Sequence, residues 1–372
     1  EGKLFYDRFV LLGFRVDKWR IPGSLIKAHT EDEEQRFLGK TGRERLGRAE
    51  RADLKLKVTM RLRKKILPTA KVFDILWDLD GETLLFFGHS AKQLLDFGAL
   101  FETSFGLSLV EDSPYAAAQR ANLSSVMQKR LAQVEQLSLV SGNRRLTQIR
   151  KGTAPSADAE TAATTKRKTN QEGEDLIERI ETTRFLGAEF LLWIWLYGAL
   201  VEDTVSIGGA GDWSVWLEGA LALQSVFDPA ERVAVRGAAP AASAEAREAV
   251  KNYKFPIRAK VMMRQDAKDF RFVLDAARFA ISAGDIPAVL KEESDDAFLD
   301  RMHLVDEMMG LIDGLFATFL QFRLAPVWTE AFEPAIAAWT EEARTPTPVL
   351  QALLKAAKGL GKKRPREDRA ND

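Results

Sequence analysis

Five of the eleven residues in RLRKKILPTAK, 61–71, are cations: Arg61, Arg63, Lys64, Lys65 and Lys71. Side chains of this type neutralise phosphate, and they need only tolerable spacing to do so, because the counterions they release carry no base sequence. The cluster extends a longer run, with thirteen Lys/Arg against three Asp/Glu from Arg36 to Lys71. From Lys291 to Asp313 the balance inverts to eight acids against two bases. The formal net charge of zero is therefore a cancellation between regions. On a helical wheel for 43–67, Ala49, Leu56, Met60 and Leu67 share one face, and Arg48, Arg51 and Lys55 lie roughly opposite on one ridge. Like charges three and four positions apart repel by roughly 0.2–0.5 kcal/mol per pair, which a negatively charged partner relieves. Arg48, Arg51, Lys55, Arg61, Arg63, Lys64, Lys65 and Lys71 are thus candidate phosphate contacts. The alternative is a solvated helix face whose last cations match the negative end of the helix dipole, and the pattern alone leaves both open. The terminal KKRPR is equally divided between a solubility tail and an accessory nucleic-acid contact.

Other chemistry finds little support. The chain has no cysteine, which removes disulfides, thiol nucleophiles and thiolate metal sites. Its three histidines, His29, His89 and His303, are too far apart for ligand spacing or a triad. EESDD, 292–296, gathers carboxylates where a helix should begin, and acids at a helix start need no metal to explain them. GGAG, 208–211, lacks the GK[ST] of a phosphate loop and reads as a plain loop. Trp193, Trp195, Trp213 and Trp216 could stack on bases, but their apolar setting favours packing. No constellation proposes a reaction. The chain reads as non-enzymatic, with no catalytic residue, metal or cofactor.

The elements that must position the cations are legible in outline. At 372 residues the chain accommodates two domains, and 46% apolar content can fill their cores. Residues 3–20 read as extended. Helical patterning runs from Ser24 to about Phe37, and a second helix is expected from TGRE, where Thr41 and Glu44 have capping-box spacing. It should end before Pro68. VFDILWDLDGETLLFFG predicts a hairpin turning at Asp80-Gly81 through positive φ. Ser90 and Gln93 offer a second capping box, ahead of a helix and a closing strand LSLV, 107–110. Pro114 to about Val140 is helical, and 141–175 loses apolar periodicity and reads as a flexible linker. In the second half SVWLEG, ALALQSV, RVAVRG, PIRAKVMMRQ and DFRFVLD read as strands, with a helix at 242–252 and a long amphipathic helix carrying Phe298, Met302, Val305, Met309, Ile312 and Phe316. The fold class is α+β: two domains, 1–115 and 176–325, of mainly antiparallel sheet covered by helices, joined through 116–140 and the linker, with a helical patch and a basic disordered tail over 326–372. FLGAEFLLWIWLYGALV, 185–201, has 17 residues and contains Glu189, so it reads as a buried helix; a spanning helix needs about 20. No signal peptide is visible, and the abrupt start in a strand suggests a missing first element.

In this order the elements resemble the family of the bacterial recombination-associated protein RdgC. A Lys/Arg-rich helix runs into ILPTAKVF. FDILWDLDGETLLFFGHSAKQLLDFGALFETSFGLSLV follows as strand, turn, strand, small-residue cap, helix and strand. FRFVLDAARFAISAGDIPAVL then precedes DAFLDRMHLVDEMMGLIDGLFATFL as closing strands and final helix. The likeness covers most of 1–111 and roughly 185–323. It implies a non-enzymatic, cytoplasmic, nucleoid-associated homodimer, ring-shaped around double-stranded DNA, that binds with little sequence preference and restrains loading of the recombinase RecA. Arg61, Arg63, Lys64 and Lys65 fall in the family's basic helix before its Leu-Pro. The chain departs from the pattern in lacking its first strand and helix, and in having the 141–175 insertion and the tail after Pro326. A protein-interaction or assembly factor that uses the Trp-rich segment and the long helix for partner or self contact, with the basic cluster merely solvated, is the competing expectation.

Overall fold

The computed structural model describes residues 4–137, 178–237, 242–288 and 297–341. The expected linker, the EESDD run and the KKRPR tail lie outside the described residues. The chain divides between Leu109 and Val110 into two compact units. Each is an antiparallel sheet with helices, so the α+β class holds.

The first unit has strands β1 (Phe5–Tyr6), β2 (Phe9–Lys18), β3 (Thr69–Asp78) and β4 (Thr83–Phe86), adjacent in that order. β2 and β3 pair antiparallel from Phe9↔Asp78 to Lys18↔Thr69. Between them the chain makes two helices, α1 (Gly23–Thr41) and α2 (Arg48–Lys65), which pack on each other. A third helix, α3 (Ala91–Phe105), covers one sheet face. The strand alternation puts Leu12, Phe14 and Val16 beside Phe73, Ile75 and Trp77, and α3 adds Phe97 and Phe101 to that cluster. Phe97 lies 5.5 Å from Phe14 and 5.2 Å from Phe86 between ring centroids.

Several local expectations are corrected. TGRE ends a helix rather than starting one: Gly42 adopts left-handed φ of 65° and its N–H bonds the Leu38 carbonyl, closing α1. α2 starts six residues later, where Glu50 accepts a 2.9 Å bond from the Gly47 N–H. Gln93 does not cap α3 but turns into the interior, and Ser90 makes no side-chain cap. At the hairpin the positive φ belongs to Glu82, at 49°. Gly81 is needed for closeness instead, since a Cβ there would sit 2.6 Å from Asp78 Oδ2. The carboxylate Oδ1 of Asp78 accepts the Asp80 and Gly81 N–H groups, each at 3.1 Å, and organises the turn. LSLV, 107–110, forms no strand, and Leu107, Leu109 and Val110 are exposed.

In the second unit the strands are β5 (Thr204–Ile207), β6 (Gly211–Ser225), β7 (Arg232–Val235), β8 (Lys254–Gln265), β9 (Lys268–Asp275) and β10 (Ala280–Asp285). They are ordered β10-β9-β8-β6-β5, and β7 also pairs with β6. SVWLEG and ALALQSV are one strand, β6. Its register shifts between Glu218 and Ala222, where Gly219 takes φ of 68°, a bulge that sequence periodicity reads as a break. Helices α4 (Pro114–Arg120), α5 (Ser125–Leu131), α6 (Phe185–Leu200), α7 (Ala244–Lys251), α8 (Ala297–Arg323) and α9 (Glu333–Thr340) belong to this unit. α6 is the Trp-rich run; ten of its sixteen residues are buried, Trp193 and Trp195 among them. No single helix among the described residues is long and apolar enough to cross a membrane. α6 approaches Ala276 so closely that a Cβ on Gly187 would overlap its carbonyl oxygen. α8 is present at 27 residues. Its buried positions from Met308 onward, among them Leu311, Ile312, Leu315, Phe316, Phe319 and Leu320, recur three and four apart along one face, so the helix is amphipathic as expected. Its last residue, Arg323, is buried with Glu189 of α6: Nε donates to Oε2 at 2.6 Å, Nη2 donates to the Glu135 carbonyl at 2.6 Å, and the guanidinium lies 4.7 Å from the Trp328 ring. Glu189 Oε1 accepts the Leu137 N–H at 2.5 Å.

Candidate nucleic-acid interface

α2 carries seven of the eight proposed phosphate contacts, and Lys71 sits on β3. The helix forms despite its repelling charges because α1 supplies acids. Arg61 pairs with Glu33 at 2.6 Å and Arg51 with Glu34 at 2.8 Å. The Arg61 hydrogen bond holds the Glu33 carboxyl below its usual range. Only Val58 and Leu62 of α2 are buried, and they lie on the same side as the paired arginines.

The eight residues thus fall into groups. Arg51 and Arg61 are engaged by α1. Arg63 stacks on Trp19 at 5.0 Å and Lys71 on the Phe73 ring at 4.5 Å, contacts that leave their charge available. Arg48, Lys55, Lys64 and Lys65 are exposed and make no ion pair among the described residues. The ridge of Arg48, Arg51 and Lys55 is therefore split, since Arg51 leans toward α1. The sequence signal for this was the acidic run EDEE, 31–34, on the neighbouring helix.

A second group of cations emerges only from strand register. Along β6, β8 and β9 the core takes Trp213, Val215, Leu217, Val261, Met263, Phe270 and Phe272 from one face. The opposite face aligns Trp216, Met262 and Arg271 in one row and Ser214, Arg264 and Asp269 in the next. Arg264 lies 5.6 Å from the Trp216 ring. This face is largely self-neutralised. Arg264 bonds Asp269 at 2.6 Å and Lys260 bonds Glu218 at 2.9 Å, while Arg271 reaches Asp269 at 3.4 Å. The Arg264 hydrogen bond pushes the Asp269 carboxyl down to about 2. Antiparallel sheets with one solvated face are laced in this way without any ligand.

No family model and no curated protein matches the chain. The likeness to the recombination-associated family accordingly rests on sequence pattern alone. Among the described residues no three His, Cys, Asp or Glu side chains are grouped to hold a metal.

Proposed function

We propose that this protein binds double-stranded DNA through its phosphates, without sequence preference and without catalysis. One observation carries the reading: α2 presents Arg48, Lys55, Lys64 and Lys65 to solvent, and none of the four makes an ion pair among the described residues. Arg63 and Lys71 add charge beside them, and Arg51 and Arg61 can exchange their α1 carboxylates for phosphate. Contacts of this kind go to the backbone and release counterions, so they fix position and not sequence. A homodimer seated on the duplex acts by occupancy: where it lies, a recombinase of the RecA type cannot nucleate. A cytoplasmic, nucleoid-associated location follows from such a role.

Affinity for duplexes of unrelated sequence, titrated against salt, tests this. Equal affinities are expected, falling on a log–log plot with a slope of roughly −0.9 per phosphate neutralised. Lys64→Ala with Lys65→Ala should reduce that slope by about 2. Wild-type affinity and slope in the double variant would remove these residues from the site.

A second reading, a protein-interaction factor, is favoured by a separate observation. Of the eighteen large apolar side chains exposed among the described residues, fifteen precede Val110. The first unit therefore has more apolar surface to offer a protein partner than the second.

A further inference from the structure

We propose that the outward face of α2 is a docking seam for an acidic amphipathic helix of a partner protein. The inference does not rest on DNA binding, although it uses the same helix.

On the wheel of α2, the buried Val58 and Leu62 have Ala49, Leu56 and Met60 on the opposite side. A helix that buries one apolar stripe normally gives its far side to polar residues. Here Leu56 and Met60 are 54% and 57% exposed, and Leu67, just past the helix end, is 89% exposed. Cations flank this stripe: Lys57 and Lys64 lie close along one side, and on the other Arg48 lies about a quarter-turn away with Lys55 beyond it, toward the far ridge. Lys57 shares its charge with Asp53 at 2.8 Å, and the other three make no ion pair among the described residues.

Three properties choose the occupant. The stripe is about one residue wide per turn, the width of a coiled-coil seam and narrower than the broad apolar face that lies in a bilayer surface. Ala49 and Ala52 leave its first turns small enough for close approach of another backbone. A second copy of α2 would set Arg48, Lys55 and Lys64 against their own kind, which disfavours self-pairing at the flanking positions. A partner helix with apolar residues at a and d and carboxylates at e and g satisfies the seam and its flanking cations. Duplex DNA uses the cations and leaves Leu56 and Met60 bare. Because Arg48, Lys55 and Lys64 serve either ligand, helix and duplex compete.

The test uses the full chain and a synthetic peptide of three heptads with leucine at a and d and glutamate at e and g. The peptide is expected to bind, and to displace a labelled duplex. Leu56→Ser with Met60→Ser should weaken peptide binding at least about tenfold, the loss expected when two large apolar side chains leave a buried seam, and change duplex affinity by less than about twofold. Lys55→Glu with Lys64→Glu should weaken both ligands. An unchanged circular dichroism spectrum and melting temperature check that the variants fold, as expected for exposed positions. Peptide affinity unchanged in the serine variant overturns the proposal. So does sedimentation with phosphatidylserine vesicles that the serine variant loses, which assigns the seam to a membrane surface. So does a fall in sedimentation-equilibrium mass in that variant, which assigns it to a second copy. Peptide binding without duplex binding would sink the DNA reading and leave this one standing; the converse would sink this one.

Discussion

α2 and α6 are nearly the same length and live in opposite surroundings. α2 has eighteen residues, of which two are buried; α6 has sixteen, of which ten are buried. α6 is apolar on all sides and is enclosed by a core that takes in β6, β8 and α8. Its one charge, Glu189, is tolerated because Arg323 and the Leu137 N–H meet both carboxylate oxygens. α2 is polar on most of its circumference, is held by the acids of α1, and turns both cations and an apolar seam outward. The same backbone geometry therefore serves a scaffold in one unit and a presented surface in the other. Burial, not helix content, separates what stabilises this protein from what it can offer a partner.

The largest effect that sharpens this contrast should come from the buried pair. Glu189→Ala strands Arg323 beside Trp328, and removing one member of a buried ion pair costs about 3–5 kcal/mol. Urea denaturation is expected to show that loss in the second unit, while amide exchange of β2 and β3 stays unchanged. Replacing both residues by methionine should recover most of it, since a well-packed apolar pair substitutes for a buried ion pair. A Glu189→Ala protein of wild-type stability would break the comparison, because the interior of the second unit would then tolerate charge as the surface of α2 does.

Gly187→Ala comes next. Its methyl group would overlap the Ala276 carbonyl, and overpacking of this sort costs about 1–3 kcal/mol. The same change at Gly39 in α1, where a Cβ meets nothing within 4 Å, should stabilise slightly, by up to about 1 kcal/mol. Thermal melts of the two variants should move in opposite directions.

The smallest effect concerns pH. Asp269 has its folded pKa lowered to about 2, chiefly by the Arg264 hydrogen bond. A carboxyl depressed on folding contributes stability that is complete above its unfolded pKa, near 4, and is lost as pH falls through about 2. Carboxyl chemical shifts followed across that window should show the late protonation, and Asp269→Asn should flatten the dependence of stability on pH there.

Much of the fold was legible. The extended character of β2, the β3–β4 hairpin, the basic helix ahead of Leu67-Pro68, the buried character of 185–200 and the long α8 follow from period, length and composition. The misreadings share a cause. Thr41 and Glu44, like Ser90 and Gln93, have capping spacing, but spacing does not say whether Gly42 will go left-handed or whether Gln93 will face the interior. The bulge at Gly219 makes one strand look like two. For the candidate site, the eight cations were legible as a cluster and their sorting was not, because Glu33 and Glu34 reach Arg61 and Arg51 only across a helix pair.

Sequence alone determined where charge and apolar residues concentrate, and therefore that the zero net charge is regional and that α6 must be enclosed. These are properties of composition and of fixed helical and strand periods, which need no knowledge of distant segments. The tertiary structure decided which side of α2 is inward, and so which cations are matched and that Leu56 and Met60 face out. It also decided that Glu189 and Arg323, 134 residues apart, share one interior site. Both depend on which elements pack together, and that is settled by the energy of the whole assembled unit.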